Sequence, residues 1–210
     1  MTRQIPILMR SVGEYLATLG STHPAPGGGS VAGLVGALAA GLGQMVVSLT
    51  MKGGANNPDL AGAQDQLNEV VGKLLAASEA DELAYSGYLD AARLPQATDA
   101  GKSTRREAMQ VALINAAEVP LAIATTACEL LDNLDPIVAH GSTHALSDAE
   151  IAVSLAHASV QAALVNVRVN VPLIKDAAVA AGLTDRANDV EERARAQSGV
   201  LHATLEDRRG

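Results

Sequence analysis

The sequence predicts an all-α protein in which long antiparallel helices form an up-and-down bundle. Hydrophobic residues make up 48% of the 210 residues and aromatic residues only 1%. That composition is typical of helix interfaces lined by alanine, leucine and valine, because β-sandwiches draw on aromatic and β-branched side chains. Apolar residues recur at helical spacings, and no useful length alternates with a period of two. We therefore expect residues 1–210 to form a single helical domain that assembles as a homodimer.

The first two predicted helices flank a glycine-rich loop. Segment 7–19 predicts a short amphipathic helix that ends at Gly20. Segment 24–30 carries two prolines and three glycines, so it predicts a loop that leads into a helix capped by Ser30. The free N–H groups of such a helix start favour an anion. A binding role and a plain turn both remain open for this loop.

The apolar run 31–50 that follows predicts a central helix. Gly29, Gly33, Ala37 and Gly41 recur every four residues, which would allow a neighbouring backbone to approach closely. The run is long enough to span a membrane. Its glycines lower its hydrophobicity, however, and no Lys/Arg cluster flanks it. We expect a helix buried in the protein rather than in a membrane.

Four further helices are predicted, over 59–92, 102–138, 147–171 and 184–207. Pro120 should kink or break the second of these. Ser147 and Glu150 have the spacing of a capping box, which predicts that the third begins there.

Charge and cysteine content exclude several classes of protein. The net charge of −8 and the lack of a basic block argue against a nucleic-acid partner. Cys128 is the only cysteine, so no internal disulfide can form and a reducing, cytoplasmic location is expected. No secretory signal is evident. His140 and His144 are the only closely spaced histidines, and the sequence therefore predicts no metal site.

The candidate chemical groups are carboxylates and one polar cluster. Asp81 lies near the apolar side of its predicted helix, and the alternative is a solvated charge like its neighbours Glu79 and Glu82. Asp148 lies in a first helical turn, where a capping or helix-dipole role is the alternative.

The polar cluster consists of Asn166, Arg168 and Asn170, which alternate with valines. These side chains could bind an anionic or amide-bearing ligand, or they could cap helix ends in the core.

Seven short motifs, taken together, resemble a known family. They are Pro-Ala-Pro-Gly-Gly-Gly-Ser at 24–30, Met-Val-Val-Ser-Leu-Thr at 45–50, Asp-Glu-Leu-Ala-Tyr at 81–85, Leu-Pro at 94–95 with Thr98, Glu-Val-Pro-Leu at 118–121, Ser-Asp-Ala at 147–149 and Ala-Leu-Val-Asn-Val-Arg-Val-Asn at 163–170. In this order they resemble the cyclodeaminase/methenyltetrahydrofolate cyclohydrolase family. That family includes the C-terminal domain of formiminotransferase-cyclodeaminase and free-standing bacterial cyclohydrolases.

The resemblance implies a folate one-carbon enzyme. It implies an all-helical dimer with folate sites near the subunit interface, and hydrolysis of 5,10-methenyltetrahydrofolate to 10-formyltetrahydrofolate without a metal or redox cofactor. Alternatives are ammonia release from formiminotetrahydrofolate, another ring-opening or ring-closing reaction, and a non-catalytic helical scaffold. Asp81 is the expected catalytic carboxylate and Asp148 the second candidate. The expected substrate-binding residues are Pro26, Gly27, Gly28, Gly29, Ser30, Lys52, Tyr85, Asn166, Arg168 and Asn170.

One departure from the family pattern concerns the segment around Thr50. The family tends to have Asn-Leu-Thr followed by a lysine-rich run, whereas this chain has Ser48 in place of the Asn and only Lys52 in that run. Lysines there would suit the glutamate tail of folate. The departure implies weaker folate binding, a compensating cation such as Arg105, Arg106 or Arg168, or a changed substrate.

Overall fold

The computed structural model describes residues 6–54 and 57–210, which fold into six α-helices and contain no β-strand in those ranges. The helices are α1 (Val12–Leu19), α2 (Gly28–Lys52), α3 (Pro58–Ala92), α4 (Asp99–His140), α5 (Leu146–Asn170) and α6 (Ala177–Arg209). Short 3-10 helices cover Ile7–Met9, Thr143–Ala145 and Val171–Leu173. The predicted all-α bundle is confirmed.

Four long helices form the centre of the bundle. Helix α2 packs on α3 and α5, α4 packs on the same two helices, and α6 lies against α4 and α5. Leu60, Leu67 and Leu74 of α3 recur every seven residues and are fully buried. That spacing keeps one apolar seam facing the neighbouring helices.

The structure corrects two predicted helix starts. The N-cap of α2 is Gly27 and not Ser30, which is the third residue of the helix. Helix α5 already begins at Leu146, so the predicted capping box at Ser147 is wrong. The chain enters α5 from the 3-10 turn Thr143–Ala145, which starts the helical geometry before Ser147 is reached.

Prolines and caps also differ from the predictions. Helix α4 continues through Pro120 and Pro136, so a break at Pro120 is not observed. Helix α6 begins at Ala177 rather than near 184. The reason is that the side chain of Asp176 accepts hydrogen bonds from the first N–H groups and caps the helix.

The segment predicted as the first helix forms two separate helices, and most of its predicted apolar face is exposed to solvent. A 3-10 helix covers Ile7–Met9, and α1 starts only after Ser11, which forms a capping box with Glu14. The predicted apolar face is largely solvent-exposed, with Val12 77% exposed, whereas Tyr15 is buried.

Glycines let α2 approach two neighbours closely. A methyl group at Gly33 would lie 2.9 Å from the carbonyl oxygen of Leu74 on α3, and one at Gly36 would lie 2.8 Å from Oγ of Ser159 on α5. At Gly41 a methyl group would meet no atom within 4 Å. The predicted close approach is therefore confirmed at Gly33 and is absent at Gly41. It recurs at Gly43, where a methyl group would lie 2.9 Å from Cδ2 of Leu134 on α4.

Within the described part of the chain, three helical segments are long and apolar enough to cross a membrane by length and composition alone: Gly28–Lys52, Asp99–His140 and Thr143–Leu173. Of their most apolar stretches, 56%, 44% and 44%, respectively, are buried inside the bundle.

We expect Gly33→Ala to lower the free energy of unfolding by about 1–3 kcal/mol, because the added methyl group would press on the backbone of α3. Gly41→Ala, in the same helix, should raise it by up to about 1 kcal/mol, because alanine favours the helix and finds open space there. Urea unfolding of the two variants measures both values. Equal effects of the two substitutions would contradict the close approach.

Candidate active site

A cavity of about 280 Å³ opens where the N-terminal end of α2 meets α3 and α5. The loop before α2 and its first residues form one wall, and the segment of α3 from Asp81 to Tyr88 forms another. Leu113 and Ala116 of α4 and two asparagines near the end of α5 complete it. The cavity therefore brings together parts of four helices that are far apart in sequence.

The central group of the cavity is the Asp81 carboxylate. Its Oδ2 atom accepts a hydrogen bond of 3.0 Å from the backbone N–H of Ser30. A methyl group at Gly29 would lie 2.1 Å from Oδ1 of Asp81. Only glycine at position 29 leaves room for the carboxylate against the start of α2, where free N–H groups and the helix dipole favour negative charge.

Burial raises the pKa of Asp81 above its ordinary value of 3.8. The hydrogen bond from Ser30 opposes this effect, and the negative charge of Glu82 adds to it. A carboxylate whose pKa is raised toward the working pH accepts protons more readily than an exposed one. Asp81 therefore combines a fixed position with increased basicity.

Glu82 is a buried partner of this site that the sequence analysis treated as a solvated charge. Its side chain is 1% exposed and forms a two-bond ion pair with Arg10, with N–O distances of 3.1 and 2.9 Å. The signal for its burial is its place four residues after Ser78 and eight after Leu74, both of which are buried. Nothing in the sequence pattern indicated Arg10.

Three hydroxyl groups surround the start of α2. Oγ of Ser30 lies 3.0 Å from the Tyr15 hydroxyl, 3.0 Å from Oγ of Ser78 and 3.1 Å from Oε1 of Glu82. The Ser78 hydroxyl also donates to the carbonyl oxygen of Ser30 at 2.7 Å. Burial raises the pKa of Tyr15 above its ordinary value.

The two cavity asparagines present oxygen atoms. Nδ2 of Asn170 donates to the carbonyl oxygens of Ala116 and Asn166 at 2.8 and 2.9 Å, and Nδ2 of Asn166 donates to that of Ala162 at 3.1 Å. Because carbonyl oxygens only accept, these bonds fix the orientation of both amides. The amide oxygens are left to accept hydrogen bonds from a ligand.

Most of the predicted loop residues lie at the cavity. Gly27, Gly28, Gly29 and Tyr85 line it. Ser30 lies behind Asp81 and contacts it through the main chain.

Pro26 is buried between the lining residues Ala25 and Gly27, and the Ala25–Pro26 peptide bond is cis.

Other predicted residues lie outside the cavity. Lys52 ends α2, about 36 Å from Gly28 along the helix. Arg168 pairs with Glu191 on α6. Asp148 lies in the first turn of α5, about 27 Å along that helix from Asn166. The structure does not bring these three side chains to Asp81, and their roles stay predictions.

The described lining residues include two carboxylates and no lysine or arginine. Within the described part of the chain, no group of three or more His, Cys, Asp or Glu side chains is arranged to hold a metal ion.

Comparison with known proteins places the chain in a family. The sequence model of formiminotransferase-cyclodeaminase matches residues 11–189. The chain belongs to the formiminotransferase-cyclodeaminase family. The family resemblance of the seven motifs is thereby confirmed.

Two named relatives differ in how much of their length the chain covers. It is 34% identical to the methenyltetrahydrofolate cyclohydrolase of Methylorubrum extorquens over 91% of this chain and 88% of that protein. It is 30% identical to the formimidoyltransferase-cyclodeaminase of Gallus gallus over 96% of this chain but only 38% of that protein.

The fold of the family is confirmed by a solved structure. The formiminotetrahydrofolate cyclodeaminase of Thermotoga maritima superposes with a TM-score of 0.85, covering 96% of this chain and 98% of that one at 24% identity.

We expect the substitution Asp81→Asn to raise the free energy of unfolding of this protein at neutral pH. A carboxyl whose pKa is raised on folding favours the folded state below its unfolded pKa, and this contribution is lost as the pH rises through the folded value. The stability gained by the uncharged amide should therefore grow as the pH rises from below 3.8 toward neutrality. Urea unfolding of both proteins at several pH values measures it.

The matched control is Asp65→Asn, which changes an exposed carboxylate on the same helix. Its effect should vary little with pH. A gain for Asp81→Asn that stays constant or shrinks as the pH rises would contradict a partly buried carboxyl with a raised pKa.

Proposed function

We propose that this protein hydrolyses 5,10-methenyltetrahydrofolate to 10-formyltetrahydrofolate, with Asp81 as the proton acceptor. The observation that carries the proposal is the partly buried Asp81 carboxylate, which the N–H of Ser30 holds at the wall of a cavity of about 280 Å³. The named cyclohydrolase relative, matched over 88% of its length, favours this reaction among those of the family.

The chemistry needs a base beside a cationic carbon. The methenyl carbon bridges N5 and N10 of the folate and shares their positive charge. Water adds to this carbon while Asp81 takes one of its protons. The hydroxyl group of the adduct then loses its proton to solvent as its oxygen becomes the formyl carbonyl, and the carbon–N5 bond breaks. Asp81 returns its proton to N5, and the formyl group remains on N10. A positioned general base of this kind contributes about 10²–10⁴-fold to the rate.

The charge of the cavity suits the cationic end of this substrate. Asp81 and Glu82 line it, and the described lining residues include no cationic side chain. A carboxylate near the methenyl cation stabilises its charge. The anionic glutamate tail would then extend out of the cavity, where Lys52, Arg105, Arg106 and Arg168 remain the predicted cationic partners.

The polar and aromatic walls suit a flat ring that carries N–H groups. The amide oxygens of Asn166 and Asn170 would accept from those groups, because both amide nitrogens are already bonded to backbone carbonyls. Tyr85 and Tyr88 line the same cavity and offer ring faces for stacking.

Cyclodeaminase activity is the second candidate, favoured by the matched family and by the cyclodeaminase name of the Gallus gallus relative. In that reaction N10 attacks the formimino carbon on N5, ammonia leaves, and the methenyl bridge forms. Asp81 would take the N10 proton and supply one to the leaving nitrogen. Asp81 could therefore act as the base both when the methenyl bridge is hydrolysed and when it is formed with loss of ammonia.

We further propose a cytoplasmic homodimer without nucleic-acid or membrane partners. An exposed apolar row on α2, formed by Leu38, Met45 and Leu49, supports self-association. Light scattering measures the mass, and a species of 21.4 kDa, the monomer, would contradict the dimer.

We expect the purified protein to accelerate loss of the methenyltetrahydrofolate chromophore over the spontaneous rate. Asp81→Ala should reduce the acceleration by about 10²–10⁴-fold, because the base is removed. Asp65→Ala, an exposed carboxylate on the same helix, is the control and should retain activity. Asp148→Ala in parallel tests the second candidate carboxylate.

Full activity of Asp81→Ala would remove Asp81 from the mechanism. Ammonia release from formiminotetrahydrofolate without methenyl hydrolysis would favour the cyclodeaminase. A folded protein that is inactive on both compounds would contradict the proposal of a folate enzyme. If another ligand then stabilised the protein, a pocket adapted to a different reaction would be favoured. If no ligand did, a non-catalytic helical scaffold would be favoured.

A further inference from the structure

We propose that Arg10, Ser30 and Glu82 form a positioning unit that holds the Asp81 carboxylate at the start of α2 and places a second, paired carboxylate beside it. This inference rests on the proposed function, since it concerns the same base. It assigns a role to an ion pair that lies beside the cavity.

The unit is built from three separate parts of the chain. Arg10 precedes α1, Ser30 lies in the first turn of α2, and Glu82 lies on α3. The ion-pair distances are 3.1 and 2.9 Å, with the Arg10 side chain 12% exposed and that of Glu82 1% exposed. Two parallel bonds fix both groups in direction as well as in distance.

The acceptor chemistry fixes the direction of the hydrogen bonds. An ionised carboxylate only accepts, so the Ser30 hydroxyl donates to Glu82 at 3.1 Å. With that proton committed, Oγ of Ser30 accepts from the Tyr15 hydroxyl at 3.0 Å. In this arrangement Tyr15 donates to Ser30, and Ser30 donates to Glu82.

Ser30 connects this network to the base. Its hydroxyl binds Glu82, while its backbone N–H donates to Oδ2 of Asp81 at 3.0 Å. The Ser78 hydroxyl holds the carbonyl oxygen of the same residue at 2.7 Å. With its hydroxyl, its N–H and its carbonyl all bonded to α3, Ser30 cannot shift without moving Asp81. A misplacement of about 1 Å can reduce catalysis about 10²-fold.

The negative charge of Glu82 also acts on Asp81. Burial of an ion pair costs desolvation energy, and apolar residues of similar volume are often as stable or more stable. Glu82 is nevertheless buried next to Asp81, whose pKa its negative charge raises. Arg10 balances that charge, so the pocket can hold a second carboxylate without an unpaired buried ion.

Among the described residues, the charged or titratable side chains that line the cavity or bond to the unit come from the segment before α1, from α1 and from α3. They are Arg10, Tyr15, Asp81, Glu82, Tyr85 and Tyr88. The other helices contribute glycines, apolar side chains and two asparagines to the cavity. Glu82 is therefore the nearby charge whose removal should act most directly on Asp81.

The test is the titration of the Asp81 carboxyl carbon by NMR in the free protein, with the resonance assigned from its loss in Asp81→Asn. In Glu82→Gln the titration midpoint should move to lower pH, because a neighbouring negative charge is gone. The matched control is Glu79→Gln, whose carboxylate instead accepts from the backbone N–H of Ile7. It should leave the midpoint unchanged.

The double variant Arg10→Met with Glu82→Gln keeps the test valid if Glu82→Gln leaves Arg10 unpaired and fails to fold. Its Asp81 midpoint should lie below that of the wild type, because the adjacent negative charge of Glu82 is gone. It should lie above that of Glu82→Gln, because the compensating positive charge of Arg10 is gone as well. In an active enzyme the acid limb of the kcat/KM profile should move in the same direction in these variants.

The outcomes separate this inference from the proposed function. A shifted Asp81 midpoint in a protein without folate activity would support the unit and overturn the proposed reaction. An unchanged midpoint in both Glu82 variants, with folate turnover in the wild type, would overturn the unit and leave the reaction standing.

Discussion

The site depends on the hydrogen bond from the N–H of Ser30 to the carboxylate of Asp81. It forms only because α2 lies unusually close to α3, and that approach requires glycine at 29 and 33. A larger residue at Gly29 would occupy the position of the carboxylate itself. The glycine-rich loop thus has two roles: it leaves space for the Asp81 carboxylate, and it forms a wall of the cavity.

Two neighbouring carboxylates on α3 lie in different environments. Glu82 is buried and balanced by Arg10, whereas Asp81 is held by a backbone dipole and faces the cavity. Separation of their environments allows one to remain charged and structural while the other accepts protons. The apolar contacts of α4 with α3 and α5 stabilise the fold and offset the free-energy cost of burying a carboxylate.

The fold was predictable because its signals are local and repeated. Alanine-rich composition, helical periodicity and the proline and glycine breaks identified the long helices, and the motif at 81–85 identified Asp81. The contacts of Ser30 were not predictable from sequence. Its side chain has the chemistry of an N-cap, but Gly27 takes that place, and Ser30 instead bonds to residues of α1 and α3 that are 15 to 52 positions away. The ion pair of Glu82 was not predictable for the same reason, since its partner Arg10 lies 72 positions earlier.

The most direct test of the account compares two midpoints in the same protein. One is the pH at which the Asp81 carboxyl titrates, observed by NMR, and the other is the acid limb of kcat/KM for methenyltetrahydrofolate hydrolysis. If Asp81 is the base, free-enzyme kinetics report its ionisation, and the two midpoints coincide. An acid limb at a clearly different pH, or turnover that is constant across the Asp81 titration, would contradict the central claim.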